Sequence, residues 1–279
     1  VQIGFVEWMG VGLPVTIVFL PVAWLILTRV IYPPGKISGD AGTLLANERA
    51  RLGAMSAGER IVAVVFVLAA AAWVMRSPKS FGAVTIPGIQ TWAPWVRDST
   101  IAMGAALILF LTPVNRRTGA KALDWETARR IPWGVLILFG GGLSLARAMD
   151  QSGLASWIGG GVASLSSLPT WVILGGVAAL FVFLTEVTSN AATTTMAMPI
   201  MVGAAVGLDL PPLTLMATAA VAASMAFMLP VATPPNAIVF GSGMVTIPEM
   251  TRAGFILNIL AIALITVIAT LLVPLLLIS

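Results

Sequence analysis

Length, composition and charge place this chain among membrane proteins. It has 279 residues, of which 58% are hydrophobic and 9% are charged, whereas average soluble domains carry about 25% charged residues. The 15 basic residues give a net charge of +4 and lie mostly between apolar segments, which indicates membrane topology rather than nucleic-acid binding. The sequence has no Cys and no His, which excludes disulfides and removes the usual zinc ligand and neutral-pH general base.

About 20 apolar residues are needed for a helix to cross a bilayer, and this length predicts several spans. In chain order these are spans at about 5–31, 60–75, 99–114 and 131–149, an interfacial helix at 150–166, a re-entrant hairpin at 171–207, a broken helix at 211–245 and a final span at 253–278. At 150–166, Leu154, Trp157 and Ile158 recur at helical spacing, which favours an amphipathic helix in the membrane interface. A loop with a short helix is the alternative for this segment.

Arg and Lys residues set the expected orientation. They cluster at 32–60 and at 115–130, and loops rich in these residues stay in the cytoplasm. We therefore expect the hairpin to enter from the outer side and Ser279 to end outside.

The first polar interruption is predicted at residues 188–195, inside an otherwise apolar run. Irregular backbone at membrane depth survives only where it is buried in protein or lines a water-filled cavity. Ser189 offers a hydroxyl group and Asn190 offers an amide. Thr185 lies one helical turn before Ser189, so its hydroxyl can face the same place.

The second interruption is predicted at residues 232–236. Pro234 and Pro235 lack backbone N–H groups, which leaves the carbonyls of the preceding residues, 231–233, without helical partners. Free carbonyls suit a hard cation, and the N-termini of half-helices suit an anion. Ser and Thr also pack membrane helices without binding a ligand, but two such breaks together favour a transporter site.

Glu186 is the acidic residue that lies deep in an apolar run. Such a residue is a proton carrier, a cation ligand or a structural partner of backbone donors. Its position next to Thr185 turns it to a different side of the helix and favours the structural role. Residues 140–142 are three glycines without the GxxxxGK[ST] pattern of a phosphate loop, so they indicate close helix packing.

The segments FLTEVTSNAATTTMAMPI and MLPVATPPNAIVFGSG resemble the divalent anion–sodium symporters, the family of bacterial dicarboxylate symporters and of mammalian citrate and sulfate carriers. The specific likeness covers about 185–243, and the order of spans extends it loosely over the whole chain. The resemblance implies an all-α membrane protein, a transporter half with a re-entrant hairpin and broken transmembrane helices that forms one of two inverted repeats.

The resemblance also implies which residues bind ligands. The substrate would be bound by Ser189, Asn190, Thr233 and Pro234. Sodium would be bound, in part through backbone carbonyls, by Thr185, Thr188, Asn190 and Ala232. The third position of the first motif is Ala191 rather than the family's Thr, and this missing hydroxyl leaves the identity of the substrate open.

One hairpin motif and one TPPN element are present, and the sequence begins with Val1 rather than Met. We therefore expect a C-terminal portion of a two-repeat protein. Residues 1–60 would hold the last span of the first repeat and a cytoplasmic linker, and residues 61–279 would form the second repeat. Half of the binding site would then lie elsewhere.

The sequence thus predicts a transporter rather than an enzyme, acting as a symporter of Na⁺ with a di/tricarboxylate or sulfate. Its partners would be a small anion, sodium, the bilayer of the plasma membrane and, by resemblance, a second copy in a homodimer, with no nucleic acid. Two alternatives stay open. One is a proton-coupled or exchange transporter on the same fold. The other is a membrane-embedded enzyme, for which the sequence offers no paired carboxylates and no base-activated Ser.

Overall fold

The computed structural model describes residues 3–33, 41–81, 84–115 and 117–277. These residues are mainly helical, and the chain is an all-α membrane protein. Its strands form two short antiparallel hairpins, in which β1 (Lys79–Phe81) pairs with β2 (Val84–Ile86) and β3 (Pro113–Asn115) pairs with β4 (Ala120–Lys121). The predictions that concern Val1 and Ser279 fall outside the described residues.

The helices are joined by connections of very different length, the longest of which runs from Val74 to Asp98 and holds the first β-hairpin. The helices are α1 (Phe5–Leu25), which a π-helical turn continues over Ile26–Ile31, α2 (Ala41–Leu52), α3 (Ala57–Val74), α4 (Asp98–Leu111), α5 (Trp125–Ala128), α6 (Trp133–Gln151), α7 (Leu154–Val162), α8 (Thr170–Thr185), α9 (Asn190–Leu208), α10 (Pro212–Ala222), α11 (Pro234–Gly241), α12 (Ile247–Leu271) and α13 (Val273–Leu277). Single 3₁₀ turns lie at Ile89–Thr91 and Ala163–Ser167.

Four of the described helices are long and apolar enough to cross a membrane, namely α1 with its π turn, α3, α9 and α12. Helices α4, α8 and α10 are apolar but shorter. Helix α6 occupies most of the span predicted at 131–149 but is not in either group. Arg147 and Asp150 near its C-terminal end lower its mean hydropathy, and the span stays a prediction.

Contacts within the chain divide the protein into two units. One unit comprises residues 1–6 and 35–131. Helix α3 begins at a capping box, in which the Ser56 side chain and Glu59 each accept a backbone N–H of the other. Helices α3 and α4 pack together. The loop between them is fixed by Asp98, whose Oδ1 lies 2.8 Å from Arg76 Nε and whose carbonyl accepts a hydrogen bond of 3.1 Å from Trp73 Nε1.

The second unit comprises residues 7–34 and 132–279, and helix α8 contributes much of its core. Leu174, Ala178 and Val182 of α8 are fully buried, where α8 packs against α10 and α12. Helix α10 also packs against α9. The two arms of the predicted hairpin, α8 and α9, therefore share α10 as a neighbour, and this shared packing fixes the position of the break between them.

Glycines allow α9 to pack closely against two other helices. A Cβ on Gly159 of α7 would lie 2.7 Å from the carbonyl oxygen of Gly203, and a Cβ on Gly207 would clash with the backbone of Gly159. A Cβ on Gly142 of α6 would meet the Thr195 side chain, whereas Gly140 and Gly141 face open space. Small residues at such positions let helix backbones pack closely in membranes. Helix α7, which lies within the segment 150–166, thus packs closely against α9. The interfacial location of this segment stays a prediction.

Candidate functional site

The first helix break is shorter than the sequence predicts. Helix α8 ends at Thr185 and α9 begins at Asn190, so residues 186–189 form the break and the predicted extent of 188–195 is wrong. The N–H of Thr193 already donates to the Ser189 carbonyl at 2.8 Å. The Thr195 hydroxyl donates to the Ala191 carbonyl at 2.7 Å, a bond to the preceding turn that a helix accommodates.

The second break begins earlier than predicted. Helix α10 ends at Ala222 and α11 begins at Pro234, so the non-helical stretch covers 223–233 rather than 232–236. The two prolines occupy the first turn of α11, where a helix needs no N–H donor. The Thr233 carbonyl accepts a hydrogen bond of 3.1 Å from Ala237 N. The expectation that this carbonyl lacks a helical partner is therefore wrong.

Glu186 binds the backbone of the second break and keeps it out of a helical conformation. Its side chain is buried, with 4% exposed. Oε1 accepts from Phe227 N at 2.8 Å and from Asn258 Nδ2 at 2.8 Å, Oε2 accepts from Leu229 N at 3.1 Å, and Met228 N lies 3.0 and 3.1 Å from the two oxygens. Three successive N–H groups around an anion form a backbone nest. The carboxylate is thus the structural partner of backbone donors, the role favoured from the sequence.

Two further residues fix the same loop. Asn236 of α11 donates from Nδ2 to the carbonyls of Ala226 and Leu229, both at 3.0 Å. Gly254 of α12 lies directly beneath the loop, because a Cβ at this position would clash with the backbone of Phe227. The carboxylate, the amide and the close glycine contact together define the path of residues 226–229.

Both breaks open onto one cavity of about 610 Å³, here called the site cavity. Its lining consists of residues 187–191, 230–234 and Ala237, and none of these carries a charge. Ser189 is the N-cap of α9 and Thr233 is the N-cap of α11. The positive ends of two helix dipoles therefore lie at an uncharged, partly polar cavity.

The structure brings most of the predicted ligand residues to this cavity. It is lined by Thr188, Ser189, Asn190, Ala232, Thr233 and Pro234. Thr185 is not part of the lining and lies buried behind it. Its Oγ1 is 2.7 Å from Asn190 Oδ1 and 2.9 Å from the Ala223 carbonyl. Since a hydroxyl has one hydrogen, Thr185 cannot donate to both oxygens at once.

The sequence alone gave no specific role to three side chains that support the site, although two of them lie within the predicted breaks. Asn236 and Asn258 hold the loop and its carboxylate, and the buried Thr193 pairs its hydroxyl with that of Thr188 at 2.5 Å. Asn258 had a usable signal, because an amide in the middle of an apolar helix is costly unless it is paired. Asn236 and Thr193 had none beyond their place next to the motifs.

These features define a class of protein. Broken helices whose N-termini face a polar cavity, within a multi-pass membrane protein, are typical of secondary transporters. The sequence profile described as "Sodium:sulfate symporter transmembrane region" matches residues 1–278. The chain belongs to this family, and it is a multi-pass protein of the plasma membrane.

The chain is also similar to curated relatives. It is 40% identical over 275 residues to the sodium-dependent dicarboxylate transporter SdcS of Staphylococcus saprophyticus, a match that covers 98% of this chain and 52% of the relative. It is 40% identical over 280 residues to SdcS of Staphylococcus aureus strains MRSA252 and USA300, covering 99% of this chain and 52% of each relative. The chain therefore spans about half the length of these relatives.

Proposed function

We propose that the protein containing this chain carries out sodium-coupled symport of a di/tricarboxylate or sulfate. The observation that carries the proposal is the site cavity, an uncharged cavity on which the N-termini of α9 and α11 open. The family description names sodium and sulfate, and the relatives are named as sodium-dependent dicarboxylate transporters. These names indicate transport rather than catalysis.

The anion would be bound by Ser189, Asn190, Thr233 and Pro234. The Ser189 side chain makes no hydrogen bond to the helix that it caps, so its hydroxyl is available to a ligand. The Thr233 hydroxyl accepts from Asn236 N at 3.4 Å, which leaves its hydrogen for an anionic oxygen. Helix N-termini add partial positive charge at the same place.

Sodium would be bound by Thr185, Thr188, Asn190 and Ala232. Two further oxygen atoms lie close to Thr185 Oγ1, namely Asn190 Oδ1 at 2.7 Å and the Ala223 carbonyl oxygen at 2.9 Å. In the described part of the chain, the carbonyl of Ala232 accepts no backbone hydrogen bond within the loops. Hydroxyl, amide and carbonyl oxygens are the ligands that hard cations prefer.

Sodium would supply the charge that the cavity lacks. A divalent anion loses much hydration in such a site, which costs several kcal/mol or more unless it is compensated. Helix termini offer only about half a charge each, and the described cavity lining contains no Lys or Arg. Bound sodium is then the strongest positive charge available, so we expect sodium to bind first and each ligand to raise the affinity of the other by the same factor.

The test is equilibrium binding of succinate and of sulfate to the full-length protein in detergent, titrated in NaCl and in choline chloride. Binding is expected to be tighter in NaCl by at least about tenfold, within the usual range of coupling free energies. Equal affinity in both salts would contradict sodium coupling. The anion whose binding depends more strongly on sodium is the one assigned as the substrate.

A pair of matched variants tests the cation ligands. Thr185→Val keeps the shape of the side chain and removes the hydroxyl, and we expect the sodium concentration for half-maximal anion binding to rise about tenfold, as loss of one well-placed oxygen ligand predicts. Thr218 is an equally buried Thr on α10, bonded to the Thr214 carbonyl at 2.7 Å. Thr218→Val is the control and should leave sodium dependence unchanged.

A proton-coupled transporter on the same fold would need a titrating carrier. Both oxygens of Glu186 accept N–H groups of the second break, which is a structural role, and the residues that line the site cavity include no acidic side chain. We therefore expect a proton gradient without sodium to drive no uptake into proteoliposomes. Uptake under those conditions would favour proton coupling, and uptake that requires anion inside the vesicles would favour exchange.

The homodimer that the resemblance implies stays a prediction.

A further inference from the structure

A chain of hydrogen bonds crosses the first break. Thr188 lies in the break and donates its hydroxyl hydrogen to the Leu184 carbonyl at 2.8 Å. Its Oγ1 also lies 2.5 Å from Oγ1 of Thr193, which belongs to α9 and is only 1% exposed. We call Leu184, Thr188 and Thr193 the threonine relay. It joins the end of α8 to the start of α9.

The direction of the threonine relay follows from its hydrogens. A hydroxyl group has one hydrogen and two acceptor lone pairs. The Thr188 hydrogen is directed at the Leu184 carbonyl, so the contact between the two hydroxyls needs the hydrogen of Thr193. The reverse assignment would leave the Thr193 hydrogen without an acceptor among the described residues, and an unpaired buried donor is costly. Thr193 therefore donates to Thr188, and Thr188 donates to Leu184.

Thr193 differs in its bonding from other threonines of the described helices. Thr195 and Thr218 each donate their hydroxyl to the carbonyl four residues earlier, a bond that a helix accommodates. The Ser189 carbonyl has the same position relative to Thr193 and accepts its N–H at 2.8 Å. The Thr193 hydroxyl is nevertheless directed across the break to Thr188, so its bond constrains Thr188 rather than its own helix.

The threonine relay leaves Thr188 with one lone pair to offer. Its other lone pair accepts from Thr193, and its hydrogen is used by the Leu184 carbonyl. An anion needs a donated hydrogen, whereas a hard cation needs an oxygen lone pair. Thr188 lines the site cavity and Thr193 does not. The bonding of Thr188 thus suits a cation rather than the anion.

We propose that Thr193 is a positioning residue for sodium, which holds the Thr188 hydroxyl as a pure acceptor at the site cavity. This inference rests on the proposed function, because it needs sodium to bind there. Thr193→Val would place a methyl group where the hydroxyl lies, and a carbon atom needs about 3.5 Å from an oxygen. Thr188 would then move by about 1 Å, and its oxygen would no longer be held for the cation.

The test measures binding of labelled succinate or sulfate, whichever the wild type binds, to the full-length protein in detergent over a titration of sodium. Thr193→Val should raise the sodium concentration for half-maximal anion binding about fivefold, the factor expected for loss of one hydrogen bond. The anion affinity at saturating sodium should keep its wild-type value, because Thr188 gives no hydrogen to the anion. Thr193→Ser keeps the hydroxyl and should keep the wild-type sodium dependence.

An unchanged sodium dependence in Thr193→Val, or an equal loss in Thr193→Ser, would overturn the inference. A lower anion affinity at saturating sodium would also overturn it, because Thr193 would then stabilise the break as a whole. Thr195→Val is the matched control on the same helix. It removes a hydroxyl that bonds to the Ala191 carbonyl at 2.7 Å and should leave the sodium dependence unchanged. A shift equal to that of Thr193→Val would count against the inference.

A double-mutant cycle tests whether Thr193 acts through Thr188. Thr188→Val removes the ligand oxygen, so the addition of Thr193→Val should cause no further shift, since the effects of two residues in contact are not additive. A further shift of about fivefold would overturn the inference.

A second variant covers the case in which Thr193→Val does not fold. Thr193→Ala removes the hydroxyl without adding a methyl group near Thr188, and it should weaken sodium in the same way. Wild-type sodium dependence in this variant would overturn the inference. If the wild type binds the anion equally well in sodium and in choline chloride, the proposed function fails, and the inference fails with it. Sodium-dependent binding that loss of the Thr193 hydroxyl leaves unchanged removes the inference alone.

Discussion

Replacing Glu186 by Gln should release the loop at 226–229 while leaving the size of the side chain unchanged. The carboxylate serves three backbone N–H groups and the amide of Asn258. A Gln side chain has one acceptor oxygen and one NH₂ group that only donates. In either orientation the NH₂ group therefore faces a backbone donor.

The less costly orientation keeps the oxygen toward Phe227, Met228 and Asn258, and leaves Leu229 N without its partner. An unpaired buried N–H costs about 1–3 kcal/mol, and the three remaining hydrogen bonds lose the charge that strengthens them. Together these effects cost about 3 kcal/mol of local stability. Since each 1.4 kcal/mol is a factor of ten, the open form of the loop should become about 100-fold more populated.

Hydrogen exchange followed by mass spectrometry measures this directly, in peptides that cover 225–233 of the purified full-length protein. Exchange at 227–229 should be about 100-fold faster in Glu186→Gln, because amides exchange through local opening. Glu249→Gln is the control. Glu249 caps the exposed first turn of α12 through Thr246, so faster exchange should stay within that turn. Protection at 227–229 within about threefold of the wild type would refute this account of Glu186.

Two further predictions concern the cavity and the helix packing. Asn190→Ala should abolish sodium-dependent uptake with little loss of expression, since Asn190 lines the site cavity and contacts Thr185 at 2.7 Å. The control is Ser166→Ala, which removes only a local hydrogen bond to a backbone carbonyl and should leave uptake unchanged. Normal uptake by Asn190→Ala would show that Asn190 is not a ligand of the site. Gly159→Ala should destabilise the purified protein by about 1–3 kcal/mol in thermal melting because the new Cβ would meet α9, whereas Gly160→Ala, next to open space, should be neutral or stabilising. Equal melting of the two variants would contradict the close α7–α9 packing.

Local composition was enough to find both breaks. Hydroxyl and amide residues interrupt apolar runs at Ser189–Asn190, and a Thr-Pro pair does so at Thr233–Pro234. These residue types also favour helix N-termini, as caps and as first-turn prolines. The sequence therefore predicted that the chain breaks close to these positions, and the structure brings both breaks to one cavity. The helices after the breaks begin earlier than expected, at Asn190 and Pro234.

The extent of each break was not predictable in the same way. Residues 193–195 are polar but helical, since a Thr hydroxyl can bond to the preceding turn. The apolar stretch at 223–229 contains little that would end a helix. It is held open by Glu186, which lies 41 residues before Phe227, and by Asn236. Hydrogen bonds at such separations leave no local pattern, so this part of the site needed the structure.

The two breaks are mechanically linked, and this link predicts a response to sodium alone. Thr185 contacts both Asn190, at the first break, and the Ala223 carbonyl, where the second break begins. A sodium ion at these oxygens would tie the start of the second loop to the first break, and Glu186 would extend that constraint to residues 227–229. We therefore expect sodium, without any anion, to slow hydrogen exchange across 225–233 relative to choline. Thr185→Val should lose this effect and Thr218→Val should keep it. If exchange is the same in both salts while sodium still strengthens anion binding, the coupling acts through charge alone and the loop is already fixed.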